Sequence, residues 1–268
     1  MRSFHKQLKS LVSFSYDQDE SDHELVIQLP EMEYRKRGQE TLEEAWRLLN
    51  SSDWKLEKRN SHGDTVHSKH IRGNKKVFKL TGKVMIPPKL LLEELFYQIE
   101  DVPSWNPTLK ECKTIQPIDS HTDISYQVAA EAAGGMVSTR DFVNLRYWQV
   151  IEGSYFSSGV SIQHPAMPSQ PKKVRGENGP GGWAMRPVPG EPDECTFQWL
   201  LDTDLKGWIP QSVIDAALSG AQFDYIESIR QRAAHLHRIG RVQDHLAHNQ
   251  QASASASLNS TLTVNSVA

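Results

Sequence analysis

Apolar residues along this chain fall into two rhythms. From Glu31, positions Tyr34, Leu42, Ala45, Trp46 and Leu49 recur at three- and four-residue steps, which predicts an amphipathic helix. Alternation then takes over and predicts three strands, Trp54–Asn60, Thr65–Ile71 and Lys75–Ile86, with turns at His62-Gly63-Asp64 and Gly73-Asn74. Pro87-Pro88 stops the third strand and opens a helix with Leu91, Leu92, Leu95, Phe96 and Ile99 on one side. After Pro103 and Pro107 the pattern predicts six strands, near 110–118, 121–130, 139–150, 154–163, 173–188 and 194–205. Pro210 starts a long helix striped by Ile214, Leu218, Ala221, Tyr225 and Ile229, with Gln211, Asp215, Gln222 and Arg230 on its other faces.

A largely antiparallel sheet must bury its apolar face, and the last helix is the long element left to cover it. The expected class is therefore α+β, a strongly bent sheet gripping one helix, with space between them. Residues 1–30, with the acidic stretch SYDQDESDHE, lack periodicity and are expected to be disordered; residues 31–240 form the folded domain. The tail 241–268, with its SASASASLNS tract, is expected to be disordered as well.

Composition narrows the partners. The formal charge of −3 over 268 residues argues against nucleic acid. Cys112 and Cys195 are far apart and form no CxxC pair, which excludes a disulfide framework and fits a reducing compartment. No apolar run is long enough to cross a bilayer, and the start, MRSFHKQLKSLVSF, is too polar for a secretory signal. A cytoplasmic monomer that touches organelle membranes peripherally is the expectation.

The informative chemistry lies in HTDISYQVAAEAAGGMVSTRDFVNLRYW, residues 121–148, which reads as two strands joined by an Ala/Gly-rich corner. Gln127 stands in the first strand. Arg146 shares a face of the second with Phe142 and Trp148, since alternate strand residues point the same way. An arginine between two aromatics either lies at the surface or lines a cavity, where it stays charged. Other features carry less. His62, His67 and His70 alternate between faces with no acid or cysteine to complete a metal set, and no metal or cofactor is expected. Gly176–Gly182 lacks the lysine of a phosphate loop and reads as a strand kink. Asp141 beside Arg140 reads as an ion pair at the sheet rim. His164–Pro171 holds three prolines, so it is a stiff protruding loop with Met167 at its tip, suited to a gate or a membrane contact.

AAEAAGGMVSTRDFVNLR, VRGENGPGGW and TDLKGWIPQSVIDAAL closely resemble the sterol-binding branch of the START lipid-transfer domains, over about residues 31–238. The resemblance implies a helix-grip fold, a curved nine-stranded antiparallel sheet closed by the C-terminal helix around a lipid tunnel. It implies that Arg146 is the cavity arginine and Asn106 a cavity polar residue. It places Met167 in the gate, and Trp208-Ile209-Pro210 at the hinge into the lid helix. Phe142, Trp148, Leu218 and Tyr225 complete the expected lining. In that branch the residue matching Gln127 is an acid that pairs with the arginine. Here an amide stands there, so Arg146 is expected to lack a full counter-charge. Water and an acceptor on the ligand (a sterol hydroxyl, a carotenoid hydroxyl or ketone, or a fatty carboxylate) would then complete it.

The expected function is binding and transfer of one sterol-like lipid. The alternative is storage of a carotenoid of the xanthophyll class in the same hollow. An enzyme would need a titratable acid or base inside the cavity, and the swap of carboxylate for Gln127 argues against one.

Overall fold

The computed structural model describes residues 29–71 and 75–251. The N-terminal acidic stretch, the Gly73-Asn74 turn and the Ser/Ala tract of the tail lie outside the described residues. Helix α1 spans Glu31–Leu49, followed by β1 Lys55–Arg59, β2 Thr65–His70 and β3 Lys76–Val84. A short helix α2, Pro88–Leu92, runs into a wide π-type turn over Glu93–Tyr97 and then a 3-10 turn over Ile99–Ser104. Next come β4 Leu109–Pro117, β5 Thr122–Ala129, β6 Arg140–Ile151 and β7 Ser154–Ser161. The short β8 Val174–Arg175 and β9 Glu177–Asn178 precede β10 Gly181–Val188, β11 Glu191–Leu201 and β12 Thr203–Asp204. The lid helix α3 closes the set at Gln211–Arg238.

Nine strands hydrogen-bond in the order β1-β2-β3-β11-β10-β7-β6-β5-β4, with β8 paired beside β6. Every pair along that path is antiparallel. Hairpin connections explain the class, because short turns can join only antiparallel neighbours. The predicted single strand 173–188 is broken into three pieces. Gly176 packs against the Phe142 ring and Gly179 against the Asp202 carboxylate, so neither position has room for a Cβ.

The two faces of the sheet bury different clusters. Leu42, Ala45 and Leu49 of α1 pack on Phe156, Ala184 and Leu200 of the convex face, and Tyr34 on Ile124, Tyr126, Val143 and Leu145. The concave face carries Phe78, Leu80, Met185 and Phe197, which meet Leu218, Tyr225, Ile226 and Ile229 of α3.

Ion pairs pin the rear of α3. Asp64, 1% exposed, receives both ends of the Arg230 guanidinium, and Arg232 Nε lies 2.8 Å from the buried Glu94. Burial pushes the Asp64 carboxyl up, but the Arg230 and Asn60 hydrogen bonds outweigh it and hold the group below its ordinary value. Gln222, expected on an outer face, is fully buried because its Nε2 donates to the Trp199 carbonyl at 3.0 Å.

The C-terminal boundary also needs correction. Residues 241–251 are helical, Val242 is fully buried in the main core, and Leu246 packs against it. The polar spacing of that segment hid two apolar anchors one turn apart.

Candidate functional site

A cavity of about 890 Å³ lies between the concave sheet and α3. Its walls include Phe142, Trp183, Trp199 and Leu201 from the sheet and Ala217, Leu218, Ala221 and Tyr225 from the lid. Small side chains on the front of α3 leave the space open. Trp183, Trp199 and Tyr225 form an aromatic wall, with Tyr225 stacked on Trp183 at 5.9 Å and tilted on Trp199 at 4.9 Å. Burial pushes the Tyr225 phenol far up, so it is neutral at physiological pH.

A second chamber of about 100 Å³ continues from the first and shares Gln127, Asn178, Trp183, Trp199 and Leu201 with it. Polar side chains of Asn144, Arg146, Ser157 and Asp202 line it.

Arg146 is 2% exposed and does not lack a counter-charge. Asp123, directly opposite it in the β5–β6 register, takes Nε at 2.8 Å and Nη2 at 2.5 Å in a bidentate fork. Nη1 and Nη2 also donate to the carbonyls of Leu95 at 3.1 Å and Phe96 at 2.9 Å. Those carbonyls are available because the π-type turn, closed by Gln98 N to Glu93 O, frees them from an ordinary helical ladder. The Phe96 ring lies 4.3 Å below the guanidinium. The expected dependence on a ligand acceptor is therefore overturned. The acid stands at 123 rather than 127, four residues earlier on the same face of the same strand. Gln127 keeps one long 3.4 Å bond to Ser125. Asp123 follows the Asp119–His121 turn and reads as turn chemistry; counting back in steps of two from Gln127 would have found it.

Of the other expected residues, Phe142, Leu218 and Tyr225 line the main cavity. Asn106 is fully buried but turned toward Thr108, and it lines neither chamber. Trp148 lies beyond Arg146, stacked on His121 at 4.2 Å and donating to Tyr97 and Ser120, also outside the lining.

Met167 is not at the cavity. It is half-buried against the Tyr34–Ile124 cluster on the convex side, and its carbonyl accepts from Arg175. The same arginine forks onto Asp141, which is fully buried and pairs with Arg175 rather than Arg140.

The β5–β6 corner borders the cavity instead, with Ala130–Gly135, Val137 and Ser138 in its lining and Met136 66% exposed, beside Pro107, Thr108 and Leu205 from two other loops. Ala133, Gly134 and Gly135 all have positive φ, which explains the glycines and makes the corner sharp. Arg140, 5% exposed, joins this corner to the lid hinge. Its guanidinium donates to the Ser138 carbonyl at 2.6 Å, the Ser138 hydroxyl at 2.7 Å and the Leu205 and Lys206 carbonyls at 3.0 and 3.3 Å. No carboxylate among the described residues pairs with it, and burial lowers its proton affinity. Trp208 is fully exposed at the hinge, while Ile209 packs into the core.

Comparison with known proteins converges on one family. The START domain model matches residues 38–239. The chain belongs to the START family. It is 40% identical over 202 residues to the zebrafish (Danio rerio) mitochondrial steroidogenic acute regulatory protein, covering 75% of this chain and 71% of that one. Identity to the human protein of the same name is 37% over 203 residues, with the same coverage. Among solved structures, human StAR-related lipid transfer protein 5 superposes with a TM-score of 0.71 at 21% identity, covering 77% of this chain and 99% of that one. Human STARD10 gives 0.62 at 19% identity, over 83% and 86%. These structures support the helix-grip fold; the relatives of higher sequence identity and the family match support lipid binding and transfer.

Proposed function

We propose that this START domain carries one sterol-like lipid in the cavity under α3 and exchanges it with membranes. The observation that carries the reading is the 890 Å³ hollow with its aromatic and aliphatic wall. Sequence similarity to steroidogenic acute regulatory proteins supports a sterol as cargo. The driving force is removal of the lipid skeleton from water, about 0.8 kcal/mol per buried methylene before the entropy of binding is subtracted. No described helix is long and apolar enough to cross a membrane. Contact is assigned instead to Met136 on the β5–β6 corner and Trp208 at the hinge, both exposed, and coupled through Arg140. An indole suits the interface between headgroups and acyl chains. No protein acid–base pair is invoked; the work is solvation and opening.

Transfer of cholesterol between donor and acceptor liposomes tests this. The full chain should accelerate it, and Trp208→Ala should slow it by at least threefold without changing the melting temperature. Absence of transfer by the unaltered chain would remove the carrier role. The aromatic wall also favours a second cargo, a xanthophyll, whose flat polyene would lie along Trp183, Trp199 and Tyr225. A visible absorption band in the protein purified from its source would select that cargo.

A further inference from the structure

The turn between β1 and β2 carries a sequence signal that lipid carriage does not use. Lys58-Arg59-Asn60-Ser61 sets two cationic residues three and two positions before a serine. No other serine or threonine of the chain has Lys or Arg at both places. Paired cations at that spacing suit a basophilic serine kinase, whose acidic groups hold them while the hydroxyl reaches the bound nucleotide.

The fold presents this signal openly. Lys58 and Arg59 end β1, the outermost strand of the sheet, and both are exposed, as is Ser61 in the turn. Asn60 shapes that turn: its carbonyl accepts from Gly63 N at 3.1 Å, and its Oδ1 accepts from the backbone of His62 and Asp64 at 3.0 Å each. Among the described residues neither the Ser61 hydroxyl nor the Arg59 guanidinium makes a hydrogen bond or an ion pair, so both are available.

The same hairpin straps the lid. Asp64, three residues after Ser61, takes Arg230 of α3 at 2.8 and 2.5 Å, and Lys58 Nζ donates to Ser219 Oγ of α3 at 2.8 Å. Arg230 also donates to the Lys83 carbonyl from Nε and Nη2, at 3.2 and 3.0 Å, and Glu227 lies 3.8 Å from its Nη1. Little of that guanidinium is left for a further anion. A dianion at position 61 would therefore stand beside the Asp64 carboxylate and take its partners from Lys58 and Arg59 on its own strand.

We propose that Ser61 is a phosphorylation site for basophilic serine kinases, and that its phosphate loosens the straps between the β1–β2 hairpin and α3. Ser61 Oγ attacks the γ-phosphorus of ATP; the new O–P bond forms as the bond to the β,γ-bridging oxygen breaks. ADP leaves, and the hydroxyl proton passes to the kinase's carboxylate base. The product carries about two negative charges. It draws Lys58 from Ser219 and repels Asp64, so α3 opens more often along this edge. The modification is independent of cargo; its effect on lipid release rests on the carrier reading.

Incubating the full chain with a purified basophilic serine kinase, ATP and Mg²⁺ tests the site by phosphopeptide mass spectrometry. About one phosphate per chain is expected, on Ser61, and Arg59→Gln should slow its incorporation at least tenfold with the melting temperature unchanged. No phosphate at Ser61, or an equal rate in Arg59→Gln, would overturn the site. Hydrogen exchange of the phosphorylated chain tests the straps without any lipid. Amides of α3 between Ser219 and Arg230 should exchange about three- to tenfold faster than in the unmodified chain. That difference should shrink in 1 M salt, which screens charges beyond about 3 Å. Equal exchange in both forms, or an increase that salt leaves intact, would overturn the electrostatic coupling. Bound dehydroergosterol should leave the phosphorylated chain faster by a similar factor; an unchanged off-rate beside faster exchange would overturn the effect on lipid release. Failure of the unmodified chain to bind that sterol would overturn the carrier reading, while the first two measurements still decide the site and the straps.

Discussion

Asp123→Asn is expected to destabilise the fold by about 3–5 kcal/mol, the cost of leaving a buried guanidinium without its partner. For a domain of this size that is a fall in Tm of roughly 10 °C, readable by calorimetry or circular dichroism. The geometry explains the size: Arg146 is 2% exposed, forks onto Asp123, and is turned by that fork toward the Leu95 and Phe96 carbonyls. Gln127→Leu serves as the contrast. Gln127 is half-buried with one 3.4 Å contact, so its loss should cost under about 1 kcal/mol. Equal effects of the two substitutions, or a larger one at Gln127, would return the arginine's partnership to position 127.

The second large effect is expected at Arg140. Arg140→Met removes donors to Ser138, Leu205 and Lys206 and strands their carbonyls near the cavity rim. Stability should fall by about 1–3 kcal/mol, because the Leu205 carbonyl is left unsatisfied in a buried place while those of exposed Ser138 and half-buried Lys206 can turn to water. The functional signature is separate from stability. The β5–β6 corner and the lid hinge lose their common anchor, so bound lipid should escape at least tenfold faster at temperatures where the variant is folded. Arg140→Lys keeps the charge but not the fork and should fall between the two. A variant as unstable as expected but with unchanged ligand off-rate would show that Arg140 is a brace and not a coupling between corner and hinge.

These two arginines show where sequence reading succeeds and where it stops. Periodicity located α1, the first three strands and α3 within a few residues, because each presents one apolar face to a single neighbour. It put Leu218 and Tyr225 on the buried stripe of α3 for the same reason, whereas for Arg146 and Phe142 alternation gave a shared face and the family resemblance gave its inward direction. It could not see that Asp123 pairs with Arg146, since that depends on cross-strand register, and it read the Pro87–Ile99 segment as one helix where the chain widens into a π-type turn. Prolines made the Met167 loop look like a gate, yet the loop's direction is set by Arg175 gripping its carbonyls from the convex side. The cavity border at the β5–β6 corner was visible as an Ala/Gly-rich corner but not as a border. Asn144 and Ser157 were silent because a polar residue on a strand announces an exposed face as readily as a buried chamber.

The most direct measurement is mass spectrometry of the full chain purified without detergent, first native and then after organic extraction. The account predicts one molecule per chain of a neutral lipid bearing a hydroxyl or ketone on a rigid skeleton. A chain that carries no lipid, or one loaded with fatty acids or phospholipids, would contradict it.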